Sequence, residues 1–549
     1  MAKKHDLYPV PYIEDLRDLI VHTTEVHGDR QGFLKKENGE YKIITHKEYY
    51  SHVRSLGTYL HNKFNLPRHK IALVSENRYE WTVAYLAVVV GGGIIVPIDK
   101  ELPHDEICGL ITASGADVVI CSAKYEESVS AVPSVNAVIS MDKDFYSILD
   151  EGLKMYEADN SYDSLPIDKE EMCAILYTSG TTGDAKGVML SQKNIATNLM
   201  NMGKQVKILK EDVFLCLLPL HHTYECTCGF LYPLYAGASV AFCEGLKYVQ
   251  KNMVESKTTI ILGVPAIFEN MYNKVIKTAK RQGSYNKMMT AIKINNGLKK
   301  VGIDLSKKLF AKVHESFGGH MRILISGAAA IDPVVAKGFR DLGILFLQGY
   351  GLTECAPIVG VNRDVDFRDD SAGMLLYGME LRIDNPDDEG NGEIVVKGDN
   401  VMLGYYENPE QTAAVLKDGW FHTGDIGHMD ENKFIYITGR KKNVIIASNG
   451  KNVFPEEIEG YLYKHAEIKE CVVTGRENEK TGDTEICAEI FPNFDLLSDL
   501  DDEAIMNKIE GIVAEINETI PLFKRIRKIH IRKTDFEKTT TLKIKRHKI

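Results

Sequence analysis

The sequence predicts an α/β protein: a large N-terminal domain of two mostly parallel sheets wrapped by helices plus a small β-rich subdomain, and a small mobile α+β C-terminal domain. Three observations predict it. Short apolar, β-branched runs at 71–74, 118–121, 174–177, 259–262 and 323–326 alternate with helical patterns. Between Gly390 and Ile437 the rhythm breaks into short strands, 393–396 and 433–437, separated by Gly, Asn and Asp turns. Past Gly439-Arg440-Lys441-Lys442-Asn443, residues 471–474 and 484–491 read as strands. There Ile505, Ile509, Ile512, Val513, Ile516 and Ile520 form one helical stripe that Pro521 stops. The expected domains are residues 1–441 and 442–549. No Pro/Gly/Ser linker marks their junction, so the hinge between them is short.

Composition narrows the class. A chain of 549 residues is too long for one core. Its 44% hydrophobic and 26% charged residues exclude wholesale disorder. The net charge of -11 argues against a general affinity for nucleic acid or anionic membrane. That charge is uneven: residues 521–549 hold eleven Lys/Arg against Asp535 and Glu537, leaving -20 on residues 1–520. A basic tail on an acidic body suggests a moving piece that meets phosphates. The first residues lack a signal-peptide run. The most apolar stretch, 84–98, is shorter than the roughly 20 residues of a membrane helix and is divided by Gly91-Gly92-Gly93. Ten Cys are no disulfide scaffold for this length, so reduced thiols and a cytoplasmic location are expected. No second Cys/His cluster of finger spacing supports a zinc site at His221, His222, Cys226 and Cys228.

The sharpest local feature is Tyr177-Thr178-Ser179-Gly180-Thr181-Thr182-Gly183-Asp184-Ala185-Lys186-Gly187-Val188. Small residues let backbone N–H groups approach a phosphate, while the hydroxyls and Lys186 add donors and charge. It is not a Walker A loop, because Ala185 precedes the lysine and Gly187 follows it. The loop follows an apolar run and precedes a helical pattern for which Ser191 is an N-cap candidate.

This loop resembles the signature of the adenylate-forming superfamily, which holds acyl-CoA synthetases, luciferases and peptide-synthetase adenylation domains. The resemblance continues in order through Pro219-Leu220-His221-His222-Thr223-Tyr224-Glu225, Ser326-Gly327-Ala328-Ala329 and Gln348-Gly349-Tyr350-Gly351-Leu352-Thr353-Glu354. It extends through Gly419-Trp420-Phe421-His422-Thr423-Gly424-Asp425, Gly439-Arg440-Lys441-Lys442, and segments 452–459 and 538–546.

The resemblance implies a two-step reaction: a carboxylate attacks the α-phosphorus of ATP, and a thiol, usually coenzyme A, then displaces AMP. It implies that Thr178, Ser179, Gly180, Thr181, Thr182, Gly183 and Lys186 cradle the β- and γ-phosphates. Thr353 would bond the α-phosphate, and Glu354, with Thr178, would hold Mg²⁺. Gly327, Ala328, Ala329, Gln348, Gly349 and Tyr350 would surround the adenine. Asp425, Arg440 and Ile437 would hold the ribose side. His222 would line the junction of carboxylate and α-phosphate. Lys543 would meet the charge developing in adenylation, and Lys442 would be the hinge about which the small domain rotates. Gly450 would then border the pantetheine tunnel.

Two departures stand out: Asp184-Ala185 replaces the usual Pro before the loop lysine, and Glu537 and Leu542 replace the tail's usual Pro and Gly. No Asp lies between Leu215 and Glu244, against an amino-acid substrate. Segment 263–269 and the long insert between Met271 and His320 resemble long-chain fatty acyl-CoA synthetases. The expected partners are a fatty acid, ATP with Mg²⁺, and coenzyme A. The alternatives are a ligase that loads acyl carrier protein and, less favoured, a non-catalytic nucleotide-binding regulator.

Overall fold

The computed structural model describes residues 6–178, 185–447, 451–478, 483–538, 544–546 and 549. The chain divides into two compact units, Met1–Glu380 with Lys397–Gly419, and Leu381–Val396 with Trp420–Ile549.

The first unit carries two large sheets. In one, the strands run in the order Gly404–Tyr405, Lys186–Ser191, Met172–Thr178, Ile94–Pro97, Lys70–Val74, Val118–Cys121, Ala137–Ser140. The last five are mutually parallel, and an antiparallel edge is added at one side. In the other, nine strands run from Met374–Leu375 through Ile358–Val361, Leu345–Gly351, Ile323–Ser326, Ile260–Gly263, Val213–Cys216, Ser239–Phe242 and Gln31–Glu37 to Glu40–Thr45. Its six middle strands are parallel, and again only the edges are antiparallel. Strands buried on both faces need continuous apolar runs, which is why 118–121 and 323–326 are legible in the sequence.

The apolar stretch 84–98 resolves into a buried helix, Tyr79–Val90, in which every residue is buried, and the strand Ile94–Pro97. No helix among the described residues is long and apolar enough to cross a membrane. All ten cysteines are free thiols.

The second unit contains an antiparallel set: Gly392–Lys397 pairs Trp420–Met429, which pairs Ile435–Arg440. Further on, Ile468–Glu477, Thr484–Pro492 and Ile526–Ile531 form a three-stranded sheet. The helix Asp502–Thr519 covers it with Ile505, Ile509, Ile512, Val513 and Ile516, the stripe seen in the sequence. Asp501 caps this helix by accepting from the Ala504 backbone N–H at 2.8 Å.

Candidate functional site

The segment that carries the loop is a β-hairpin. Met172–Thr178 and Lys186–Ser191 run antiparallel, and Thr178 sits opposite Lys186, so the two ends of the loop are fixed side by side. The end of the motif, Lys186–Ser191, is itself a strand that buries Val188 and Leu190, which the sequence pattern does not show, and the helix follows where the pattern places it. Ser191 then caps the helix Gln192–Gln205 in a capping box with Asn194. Ser179, Gly180, Thr181, Thr182 and Gly183 lie outside the described residues, as do Gly450 and Lys543.

Glu354 is brought to the same edge. The short strand Gly404–Tyr405 adds to Lys186–Ser191, with Tyr405 opposite Val188. The Tyr405 hydroxyl donates to Glu354 Oε1 at 3.0 Å, and its ring lies 5.1 Å from the Lys186 ammonium. Burial, then the adjoining Glu354 carboxylate, holds the Tyr405 hydroxyl far above the usual tyrosine range, so it remains a donor. The backbone reinforces this. Met402 N–H donates to the Glu354 carbonyl at 2.8 Å and Tyr406 N–H to that of Gly187 at 2.7 Å.

Thr353 and Glu354 lie on a single turn, Thr353–Cys355, that follows the strand Leu345–Gly351. Two buried amides clamp that turn: Asn400 Nδ2 donates to the Cys355 carbonyl at 2.8 Å and Asn198 Nδ2 to that of Ile358 at 2.9 Å. Thr178 and Glu354 offer a hydroxyl and a carboxylate, the latter with one oxygen fixed by a tyrosine. Oxygen-only donors of this kind suit a hard cation such as Mg²⁺.

The proposed adenine wall has a distinct geometry. Gly327 lies so close to Tyr224 that a Cβ there would meet the ring at 2.9 Å, and Ala328 adopts φ +71°. A left-handed alanine turns the chain sharply and leaves Ala328 and Ala329 exposed. Gln348 is buried, and its side chain accepts from Ile331 N–H at 2.9 Å and donates to the Ser371 carbonyl. Its amide thus shapes the wall. Gly349 and Tyr350 pair with Val361 and Gly360 across the antiparallel edge.

His222 follows the Leu217–Leu220 stretch and precedes a π-helix, Tyr224–Leu231. His221 is buried, its Nε2 is 3.5 Å from Asp99 Oδ2, and its ring is 4.2 Å from that of His222. Asp99, His221 and His222 each present one potential ligand atom, all within 4.8 Å of one another. The metal-type cluster among the described residues therefore joins the histidines to Asp99, not to Cys226 and Cys228, which are buried thiols of the π-helix. Asp99 is 122 positions from His221 in sequence; it follows a strand of the seven-stranded sheet, Ile94–Pro97, and His221 a strand of the nine-stranded sheet, Val213–Cys216.

In the second unit, Asp425 and Arg440 are cross-strand partners, and Arg440 Nε meets Asp425 Oδ1 at 2.7 Å. Asp425 is 2% exposed and its N–H donates to Thr423 Oγ1 at 3.0 Å. Ile437 is on the same strand as Arg440 and is 38% exposed. Lys442 follows in a short turn, Lys441–Asn443. Incomplete solvation, then the charges of Arg440 and Arg546, holds its ammonium below the usual lysine range.

Comparison with known proteins agrees with this architecture. The model of the AMP-binding enzyme family matches residues 21–406, and that of the AMP-binding enzyme C-terminal domain matches 442–549. The long-chain-fatty-acid–CoA ligase 5 of Rattus norvegicus is 30% identical over 481 residues, covering 80% of this chain and 70% of the relative. The long-chain-fatty-acid–CoA ligase FadD15 of Mycobacterium bovis is 27% identical over 523 residues, covering 87% and 85%. The crystal structure of the anthranilate CoA ligase AuaEII with anthranoyl-AMP aligns with a TM-score of 0.77 at 20% identity, covering 98% of this chain and 97% of that one. Fold and family together define an adenylate-forming acid–thiol ligase. The chain belongs to the AMP-binding enzyme family.

Proposed function

We propose that this adenylate-forming ligase joins long-chain fatty acids to coenzyme A in two half-reactions, with ATP consumed in the first and AMP released in the second. The observation that supports it most directly is the assembly of Thr178, Lys186 and Glu354 at one sheet edge through Tyr405. That edge offers a cation and a carboxylate to the same triphosphate. The names of the two relatives described above support the substrate class.

In this reading Lys186 and the loop it closes hold the β- and γ-phosphates, and Thr353 bonds the α-phosphate. Glu354 and Thr178 would hold Mg²⁺, which would neutralise charge between the two anions. His222 orients the carboxylate, while Asp99 holds the neighbouring His221 and so fixes the pair. Gly327, Ala328 and Ala329 make the flat wall for adenine, with Tyr350 beside it. Asp425 accepts the ribose hydroxyls, and Arg440 and Ile437 border it. Lys543 stabilises the charge that develops between carboxylate and α-phosphorus. Rotation at Lys442, the start of a C-terminal domain of residues 442–549, then exchanges Lys543 for Gly450 and the thiol.

The test is AMP release by the purified enzyme over saturated acids of increasing length, with coenzyme A, with acyl carrier protein, and with neither. Rates highest for long acids with coenzyme A are expected. A preference for aromatic or short acids would overturn the substrate class, and thioester on carrier protein alone would overturn the acceptor.

A further inference from the structure

The net charge of the chain conceals a local reversal. Residues 271–313 hold eleven Lys/Arg and one acid, Asp304, a net +10 within a protein of -11. They lie on two helices, Pro265–Arg281 and Tyr285–Lys299, and the loops and short helices that follow.

The inner faces of this region are anchored. Phe268 packs edge-on against Phe346 at 5.2 Å, and Tyr272 against Phe339 at 5.6 Å. Ile292 and Phe310 join Leu342 in a small core. Asn295 ties helix to loop, accepting from Leu305 N–H at 2.8 Å and donating to Ser306 Oγ at 2.9 Å.

The outer face is different. Lys287, Lys293, Lys300, Lys307 and Lys308 are exposed, and among the described residues none of them makes an ion pair. Between them stand Ile294, 59% exposed, Val301, 72%, Ile303, 47%, and Leu309, 45%. On a helix of 3.6 residues per turn, Ile294 shares its face with Lys287 and lies beside Lys293. The loop Val301-Gly302-Ile303 continues directly from the helix end.

Cations without carboxylate partners, interleaved with projecting aliphatic side chains, fit a surface that is anionic outside and hydrocarbon within. We infer that residues 285–309 dock this enzyme on the surface of an anionic phospholipid membrane. Anionic headgroups satisfy the lysines and the hydrocarbon beneath them takes the four aliphatic side chains, so one partner matches both features. The inference takes its purpose from the long-chain reading, since such acids reside in bilayers, but its physics is separate: binding is read without ATP, acid or coenzyme A.

The experiment is sedimentation of the full-length protein with vesicles of pure phosphatidylcholine and of phosphatidylcholine with about one third phosphatidylglycerol. Binding to the anionic vesicles, loss of it at high salt, and little binding to neutral ones are expected. The variant Lys293→Glu/Lys300→Glu/Lys307→Glu/Lys308→Glu should bind at least about 100-fold more weakly. Its Gln counterpart keeps the test open if charge reversal disturbs folding. Ile294→Ser/Val301→Ser, with charge unchanged, should weaken binding several-fold. Equal binding to both vesicles, no binding, or undiminished binding by the lysine variants would overturn the inference. Capture of an acidic carrier protein in place of vesicles would overturn it in favour of a protein partner. Failure of long-chain ligase activity would leave the vesicle result standing by itself.

Discussion

The Tyr405 hydroxyl donates to Glu354 Oε1 at 3.0 Å, joining a strand end to a turn 51 residues earlier in the chain. This single bond fixes one oxygen of the carboxylate proposed to hold Mg²⁺ and leaves the other lone pairs to the cation. Removing the hydroxyl frees Glu354 to rotate. A hydrogen bond to a charged group contributes about 1.5–3 kcal/mol, so Tyr405→Phe should slow acid-dependent pyrophosphate exchange by at least about tenfold. It should also raise the Mg²⁺ concentration needed for half-maximal rate. The Phe ring keeps its contact with Lys186, so the melting temperature should fall only by what the lost hydrogen bond contributed, a few degrees at most. An unaltered Mg²⁺ titration in an inactive variant would show that Tyr405 acts by another route.

Asp425 and Arg440 form a second pair whose two members differ in solvation. Asp425 is 2% exposed, while the Arg440 side chain is 41% exposed. Solvent screens the guanidinium, so its loss should cost about 1 kcal/mol, not the several of a fully buried pair. Arg440→Met should therefore lower the melting temperature slightly and raise the KM for ATP. Asp425→Asn should raise that KM further, because it removes the charge and turns one of the two acceptor oxygens into a donor. A double variant whose effects simply add would show that the two residues do not act together on the nucleotide.

Glu225 sits in the π-helix Tyr224–Leu231, fully enclosed. Burial pushes its carboxyl up to about 8, only partly opposed by the Cys216 thiol and the Leu218 and Leu217 backbone. Cys226 and Cys228 adjoin it and are neutral for the same reason. A raised acid favours the protonated folded state. Its contribution to stability is complete below the ordinary carboxylate range and declines as pH rises from about 4.5 to about 8. Glu225→Gln, which keeps the shape and cannot ionise, should flatten this part of the stability–pH curve and gain on the parent at pH 8. Denaturant midpoints measured between pH 5 and pH 9 check it; parallel curves for the two proteins would refute the assignment.

Much of the fold was legible because its signals are local. The stripe from Ile505 to Ile516 needs only 3.6-residue periodicity, and that helix buries those residues. The parallel strands announce themselves as unbroken apolar runs. The strand Lys186–Ser191 was hidden because Lys186, Gly187 and Ser191 leave it no unbroken apolar run, and one of its two partners, Gly404–Tyr405, is distant in sequence. The same reason concealed Asp99 beside His221, the Asn198 and Asn400 clamps, and Tyr405 itself. Each is ordinary in sequence and acquires its meaning from a residue 45 to 160 or so positions away. Gln348 shows the converse. Its motif points to the nucleotide, yet its amide is engaged by Ile331 and Ser371.

The last prediction separates the two half-reactions. Lys543 is singled out among eleven basic residues of segment 521–549 by the resemblance of Lys538–Arg546 to the family's C-terminal motif. If its charge is needed only while the carboxylate attacks the α-phosphorus, Lys543→Ala should abolish formation of acyl-adenylate from acid and ATP. Attack of coenzyme A on acyl-adenylate supplied ready-made should persist near the parent rate, because no phosphorus–oxygen bond forms in that step. Gly450→Leu should do the reverse, since a side chain beside the thiol's approach blocks the second step and leaves pyrophosphate exchange intact. Rapid-quench assays of each half-reaction read both. Equal loss of both activities in either variant would mean that one arrangement of the C-terminal segment serves both steps, and the rotation at Lys442 would have to be abandoned.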